Sequence, residues 1–297
     1  MKSHEWTKML VEKQTITKIL IDILEDKRSL QTKVKPLIDS ASKNKVLLHL
    51  LRVSNIQGSL REAQELGIKR IIKVVRILSK LLENYDYAFF KLIKPVSYVP
   101  ADVDLLININ QAKRAAHEII GLGYRVAVKD PYCITLTRGD SIIDMYIHPS
   151  LGGVIFINGQ KLLEHTCTKE FNGIEVRSLE SYAEALVAVS HAIYKERIYT
   201  LNDFFTVEEW TSKKTIKLAQ ELNCKDALKA AINLNRKISL GLLETPHKIP
   251  LPLWLAMLMQ KFQSDTLTKA TSIGILKTLT SKRAGKLLMS KFTRETY

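Results

Sequence analysis

The stretch Ala101-Asp102-Val103-Asp104-Leu105-Leu106-Ile107 constrains this chain most. Two carboxylates stand two residues apart at the mouth of an apolar run. On a strand, whose side chains alternate between faces, both point to one side. Val103, Leu105 and Ile107 then point to the other side, into a core. A second apolar run, Ile142-Ile143-Asp144-Met145-Tyr146-Ile147, carries a third carboxylate in its middle, where an unpaired charge is costly to bury. Three carboxylates brought together repel unless a cation joins them. The simplest candidate is a pair of magnesium (or manganese) ions, hard cations that take carboxylate and phosphate oxygens. Such a pair suits phosphoryl or nucleotidyl transfer.

Around this feature the hydrophobic period changes twice. Residues 1–86 read as helical: Leu10, Ile16, Ile19, Leu20 and Ile23 recur at helical spacing, as do Val46, Leu47, Leu50 and Leu51. Ser59 to Gln64 reads as a capped helix start, and Ile68, Ile71, Ile72, Val75, Leu78 and Leu82 form an amphipathic stripe with Lys69, Arg70, Lys73, Arg76 and Lys80 between. Residues 87–177 switch to period two. The spacing predicts strands at Tyr87–Ile93, Val103–Ile107, Tyr124–Val128, Cys133–Thr137, Ile142–Ile147, Val154–Ile157 and Ile174–Arg177, with a helix over Gln111–Gly121. Arg138-Gly139-Asp140 is expected to be a hairpin turn. Residues 178–297 return to helix, interrupted by Pro246, Pro250 and Pro252. The expected architecture is α+β: a small mixed-sheet core between N-terminal and C-terminal helical regions.

The charge balance bears on partners. The chain has 297 residues and a formal net charge of +15, with a pI of about 9.6. Such an excess favours polyanions. Much of it lies near the C-terminus, where Lys277, Lys282, Arg283, Lys286 and Lys291 are candidates for nucleic-acid contact; a solvated helix face is the other reading. Three widely spaced cysteines suggest neither a disulfide framework nor a zinc site. The N-terminus lacks the apolar core of a signal peptide, and the apolar run Ile249–Met259 is too short to cross a bilayer and contains prolines. A soluble, cytoplasmic protein is expected.

The strand–helix–strand–hairpin order, with Asp102-Val103-Asp104 on the first strand and Asp144 on the hairpin's second, resembles the nucleotidyltransferase superfamily of polymerase-beta-like fold. The helix ending in Gly121-Leu122-Gly123-Tyr124 adds to the resemblance, as does Ile143-Asp144-Met145-Tyr146-Ile147-His148. So does the run Leu179 to Leu186, with His191 and Asp203 beyond. Over Leu81 to Thr206 the chain is similar to the minimal, aminoglycoside-modifying-like branch, in particular its uncharacterised nucleotidyltransferase family. The resemblance implies that Asp102 and Asp104 hold both metals, while Asp144 holds the catalytic metal and polarises the attacking hydroxyl. It implies a nucleoside triphosphate as substrate. The charge of +15 argues for RNA, tRNA above all, or an acidic protein as acceptor rather than a small cation.

The superfamily's Gly-Ser or Gly-Gly turn ahead of the Asp pair, whose amides receive the triphosphate, is replaced here by Lys91 to Pro100, which contains no glycine. Lys91, which resembles a lysine common in the family, and Lys94 are expected to neutralise phosphate instead, and Ser97 to donate a hydrogen bond. His148 is expected on the same strand face as Asp144, as a substrate-orienting or a structural histidine. His191 is expected to pack near the site. Two other readings remain. One is a catalytically degenerate member that binds nucleic acid, RNA favoured over DNA. Here a short helix ending near Gly67, followed by the basic helix of Ile71 to Leu82, imitates a helix-turn-helix. The other is a component of a toxin–antitoxin module with a protein partner.

Overall fold

A computed structural model describes residues 15–29, 34–279 and 294, without the side chains of 273–279. Helices α1 (Ile16–Leu24), α2 (Val34–Lys43), α3 (Leu47–Val53) and α4 (Ser59–Leu81) precede β1 (Tyr87–Phe89) and β2 (Val103–Ile107). Helix α5 (Ala112–Gly121) leads into the meander β3 (Arg125–Asp130), β4 (Cys133–Arg138) and β5 (Ser141–Tyr146), and the hairpin β6 (Thr166–Phe171) and β7 (Ile174–Leu179) follows. Helix α6 (Ser181–Ser190) runs into a π-helical turn, His191–Glu196. Helices α7 (Leu201–Trp210), α8 (Lys213–Glu221), α9 (Lys225–Ser239), α10 (Leu251–Ser264) and α11 (Thr266–Leu279) complete the described chain.

The strands form one seven-stranded mixed sheet in the order β3-β4-β5-β2-β1-β7-β6. Strand β2 lies parallel to β5 and antiparallel to β1, and β1 lies parallel to β7. All five residues of β2 are buried. Apart from Asp104 its sequence is apolar, as befits a strand covered on both faces. Edge strand β3, in contrast, is mostly exposed, carries Arg125, Lys129 and Asp130, and has a register shift between Val126 and Val128. Charge and irregularity protect such an edge from pairing with another chain.

Each face of the sheet has its own core. Tyr87, Phe89, Val103, Leu105, Ile107, Ile143 and Met145 pack with Ile68, Val75 and Leu78 of α4 and with Ala115 and Ile119 of α5. On the opposite face Ala88, Leu106 and Tyr146 join a cluster that includes Leu20, Leu50, Leu186, Phe204 and Trp254. This second cluster draws on the N-terminal helices, the sheet and the C-terminal helices together. A fully buried side chain of this kind contributes about 1.5–3 kcal/mol. Asp104 and Asp144 alternate with the first set of residues, so they face the second cluster at its margin.

Several expectations are corrected. There is no helix-turn-helix at Gly67, because α4 runs unbroken from Ser59 to Leu81. A Cβ at Gly67 would lie 2.8 Å from Val99 Cγ1, so this glycine makes room for the loop ahead of β2 rather than for a turn. Strand β1 ends at Phe89, short of Ile93, because Lys91 takes a left-handed backbone with φ 57°. Only Val154–Ile155 of the predicted Val154–Ile157 is extended, in a short ladder with Ser150–Leu151. Strand β6, which the period-two pattern does not mark, pairs with β7 around a turn at Asn172 and Gly173, both at positive φ. Among the described residues no helix is long and apolar enough to cross a membrane, and Cys133, Cys167 and Cys224 are all free thiols.

Candidate active site

Parallel pairing of β2 with β5 sets Asp104 directly opposite Asp144. Asp102 lies two residues before Asp104, just ahead of β2. A carboxylate oxygen from each of the three falls within 4.8 Å of the others. Asp144 is held from both sides: Thr135 Oγ1 donates to its Oδ1 at 2.6 Å and the Tyr146 phenol to its Oδ2 at 3.3 Å. Asp104 is 5% exposed. Its Oδ2 meets Lys91 Nζ at 2.8 Å, while its Oδ1 is buried with no hydrogen-bond partner. Burial, with added repulsion from Asp102 and Asp144, pushes the Asp104 carboxyl up to about 7 despite the pull of Lys91.

An orphaned buried carboxylate oxygen next to two further carboxylates is an unfavourable arrangement in the ligand-free protein. The donor set is all oxygen and anionic, which fits a divalent hard cation such as Mg2+ or Mn2+. The residues present therefore fit the ions that the sequence implies.

The turn after β1 is built to aim Lys91. Its backbone N–H donates to both carboxylate oxygens of Glu184, at 2.8 and 3.0 Å, and its carbonyl accepts the Tyr98 hydroxyl. These contacts pin the left-handed conformation, which a lysine adopts at some cost. Glu184 is fully buried in the first turn of α6. Burial raises its carboxyl, and Lys94, 3.8 Å away, offsets part of that rise. Burial also draws the Lys94 ammonium down, against Glu184 and Asp203.

A cleft of about 530 Å³ opens over Asp102 and Asp104, which line it with Lys91, Lys94, Tyr98 and Tyr146 from the core; Asp144 lies behind this lining. From the N-terminal helical region come Ser42 and Lys45. The C-terminal region supplies His191, Lys195, Glu196, Asn202 and Asp203. Burial pulls Lys45 down to about 8. Lys195 Nζ donates to the Tyr146 hydroxyl at 3.1 Å.

Not every expected residue is here. Ser97 accepts from Arg52 Nη1 at 3.1 Å and lines a separate hollow of about 180 Å³. His148 lies beyond the end of β5, outside the cleft lining, where its Nδ1 accepts the Gly159 N–H at 3.0 Å. A Cβ on Gly159 would come within 2.3 Å of Ile147 O, so the two segments are in close contact and His148 seals them. Lys277 belongs to α11 with its side chain outside the described residues; Lys282, Arg283, Lys286 and Lys291 lie outside them altogether.

Three residues of the site are not singled out by the sequence. Glu184 carries a legible signal, an acid inside the largely apolar helix α6. Lys195 lies just past that helix. Lys45 has no local signal, because only tertiary folding brings α2 and its end to the cleft.

No family model and no curated protein matches the chain. Among solved structures, the crystal structure of ANT(2″)-Ia in complex with adenylyl-2″-tobramycin is similar at 14% identity and a TM-score of 0.33, covering 57% of this chain and 96% of that one. The solution structure of ANT(2″)-Ia, an antibiotic-resistance factor, is similar at 13% identity and a TM-score of 0.31, covering 60% and 90%. An antigenic nucleotidyltransferase-like protein from Paracoccidioides brasiliensis is similar at 16% identity and a TM-score of 0.35, covering 65% and 98%.

Proposed function

We propose that the chain is a metal-dependent nucleotidyltransferase that moves a nucleoside monophosphate from a nucleoside triphosphate to a hydroxyl acceptor, with pyrophosphate as the leaving group, acting in the cytoplasm. The observation that carries this reading is the convergence of Asp102, Asp104 and Asp144 within 4.8 Å, with Asp104 Oδ1 unpartnered and with Asp102 and Asp104 lining a cleft shared with four lysines. The three carboxylates would hold two divalent ions, and the ions would supply Lewis-acid neutralisation of charge on the phosphates. Asp144, oriented by Thr135 and Tyr146, takes the proton of the acceptor hydroxyl. Lys91 and Lys94 balance the negative charge of the triphosphate. RNA is the acceptor that the net charge of +15 favours, with a protein as the alternative acceptor.

The test is a transfer assay in which the protein meets each α-labelled nucleoside triphosphate and total RNA, with Mg2+ or Mn2+. Label should appear on RNA, or on protein, and Asp104→Asn should lose it while remaining folded. Transfer that persists in Asp104→Asn would remove the assignment.

One observation favours a second reading. The backbone N–H of Lys91, in the stretch where the superfamily's glycine turn offers amides to phosphate, is committed to Glu184. A degenerate scaffold that binds nucleic acid without consuming nucleotide fits that commitment. RNA binding with no transfer from any of the triphosphates would select it.

A further inference from the structure

Helix α4 precedes all but the first residue of the stretch Leu81 to Thr206 that carries the resemblance, so the surface it displays is this chain's own. From Gly67 to Leu82 the sequence holds five cations and no acid. Lys69, Lys73, Arg76 and Lys80 recur at helical spacing and form one stripe along the helix. All four are exposed, and the opposite side buries Ile68, Val75 and Leu78 against the sheet. Among the described residues no carboxylate oxygen lies within 4.0 Å of any of the four. Arg70, to one side of the stripe, meets Asp140 at 3.7 Å. Glu62 and Glu83, the acids along the same line, stand beyond its two ends.

Like charges one turn apart weaken a helix, and the macrodipole favours a cation only in the last turn, here Lys80. Glutamine or glutamate would serve the helix as well as lysine does. The local structure thus gives no reason for the stripe, and a polyanion lying along it would offset the repulsion. The stripe is a line of charge about 16 Å long, not a pocket, and a phosphate backbone has that form. Helix α4 contains no aromatic residue, so it offers no platform on which unpaired bases could stack. A base-paired stem presents phosphates and asks for no stacking. Gln64, about one and a half turns before Lys69, lines the carboxylate cleft, so the stripe begins close to the border of that cleft.

We propose that Lys69, Lys73, Arg76 and Lys80 form a docking surface for the phosphate backbone of a base-paired RNA stem, which seats the RNA beside the cleft. The choice of RNA over DNA rests on the proposed RNA acceptor.

The experiment compares the full wild-type chain with two variants that remove equal charge. One joins Lys69→Gln, Lys73→Gln, Arg76→Gln and Lys80→Gln. The control joins Lys213→Gln, Lys225→Gln, Lys229→Gln and Lys237→Gln, at exposed positions of α8 and α9. Each is titrated with an RNA hairpin, a single-stranded RNA and a DNA duplex of equal charge over a range of salt, and its Mn2+ binding and thermal midpoint are recorded. The stripe variant should lose at least tenfold in affinity for the hairpin at low salt. Its slope of log affinity against log salt should become shallower by about three, with the midpoint unchanged or raised and Mn2+ binding intact. The control variant should keep most of the affinity and the slope. Equal losses in the two variants would reduce the effect to net charge and overturn the proposal, as would single-stranded RNA or the DNA duplex bound more tightly than the hairpin. Transfer to RNA that continues undiminished in the stripe variant removes the docking surface and leaves the nucleotidyltransferase reading standing. Stripe-dependent hairpin binding, with no transfer to any acceptor, supports the surface while that reading falls.

Discussion

At the scale of the residue, Asp104 carries the tension of the site. Its carboxyl is held at about 7 in the fold, against about 3.9 in an unfolded chain. Between those values the folded protein binds more protons than the unfolded one, so this group's contribution to stability falls as pH rises from about 4 to 7. Lys45, held down to about 8 by burial, acts in a higher window, where its contribution rises with pH toward about 10.4. Glu184, raised by burial, and His49, His148 and His247, lowered by burial, also titrate in the lower window, so the difference between wild type and Asp104→Asn is what isolates Asp104. The stability of ligand-free Asp104→Asn relative to wild type is expected to rise by a few kcal/mol between pH 4.5 and 7.5, since each tenfold change in proton affinity is worth about 1.4 kcal/mol. Urea melts at the two pH values measure it, and a constant difference would contradict the account.

At the scale of the element, the sequence is most legible where one period runs unbroken. Strand β2 matches its predicted bounds, and Asp102, Asp104 and Asp144 converge because β2 and β5 pair in parallel register. It is least legible where a tertiary contact overrides a local signal. Gly67 has the look of a helix stop but serves the close approach of Val99. Ser97, expected at the phosphate, is engaged by Arg52, an arginine that Glu65 also clamps through two hydrogen bonds. Strand β6 is hidden by its polar Thr166, Thr168, Lys169 and Glu170, although Asn172-Gly173 is a strong hairpin signal. The close approach at Gly67 predicts that Gly67→Ala destabilises the protein by about 1–3 kcal/mol, although alanine is the better helix former. A thermal or denaturant melt reads this directly, and a stabilised Gly67→Ala would show that the loop around Val99 yields freely.

At the scale of the whole molecule, the cleft is a joint product of all three stretches of chain. Lys45 comes from the N-terminal helical region, the carboxylates from the sheet, and Lys195 and Asp203 from the C-terminal helical region. None of these meetings is visible in local sequence, which explains why the three carboxylates are read more completely than the cleft around them. Outside the cleft, Lys69, Arg70, Lys73, Arg76 and Lys80 form an exposed basic face on α4. Together with the net charge of +15, it would make the proposed affinity for RNA electrostatic in origin. Binding to tRNA is expected to weaken steeply and linearly in log–log form with salt, by about tenfold or more between 50 and 200 mM. Affinity that holds constant over that range would exclude a phosphate-led contact.

The central claim is that three carboxylates on two paired strands form a divalent-cation site. Titration of Mn2+ followed by electron paramagnetic resonance tests it most directly, with wild type at pH 7.5 and 5.5 and with Asp104→Asn and Asp144→Asn at pH 7.5. The account predicts saturable binding by the wild-type protein. It predicts weakening at pH 5.5, where the proton on Asp104 must be displaced, and a loss of at least about tenfold in each variant. Mn2+ binding that is absent from the wild type, or is indifferent to both substitutions, would contradict it.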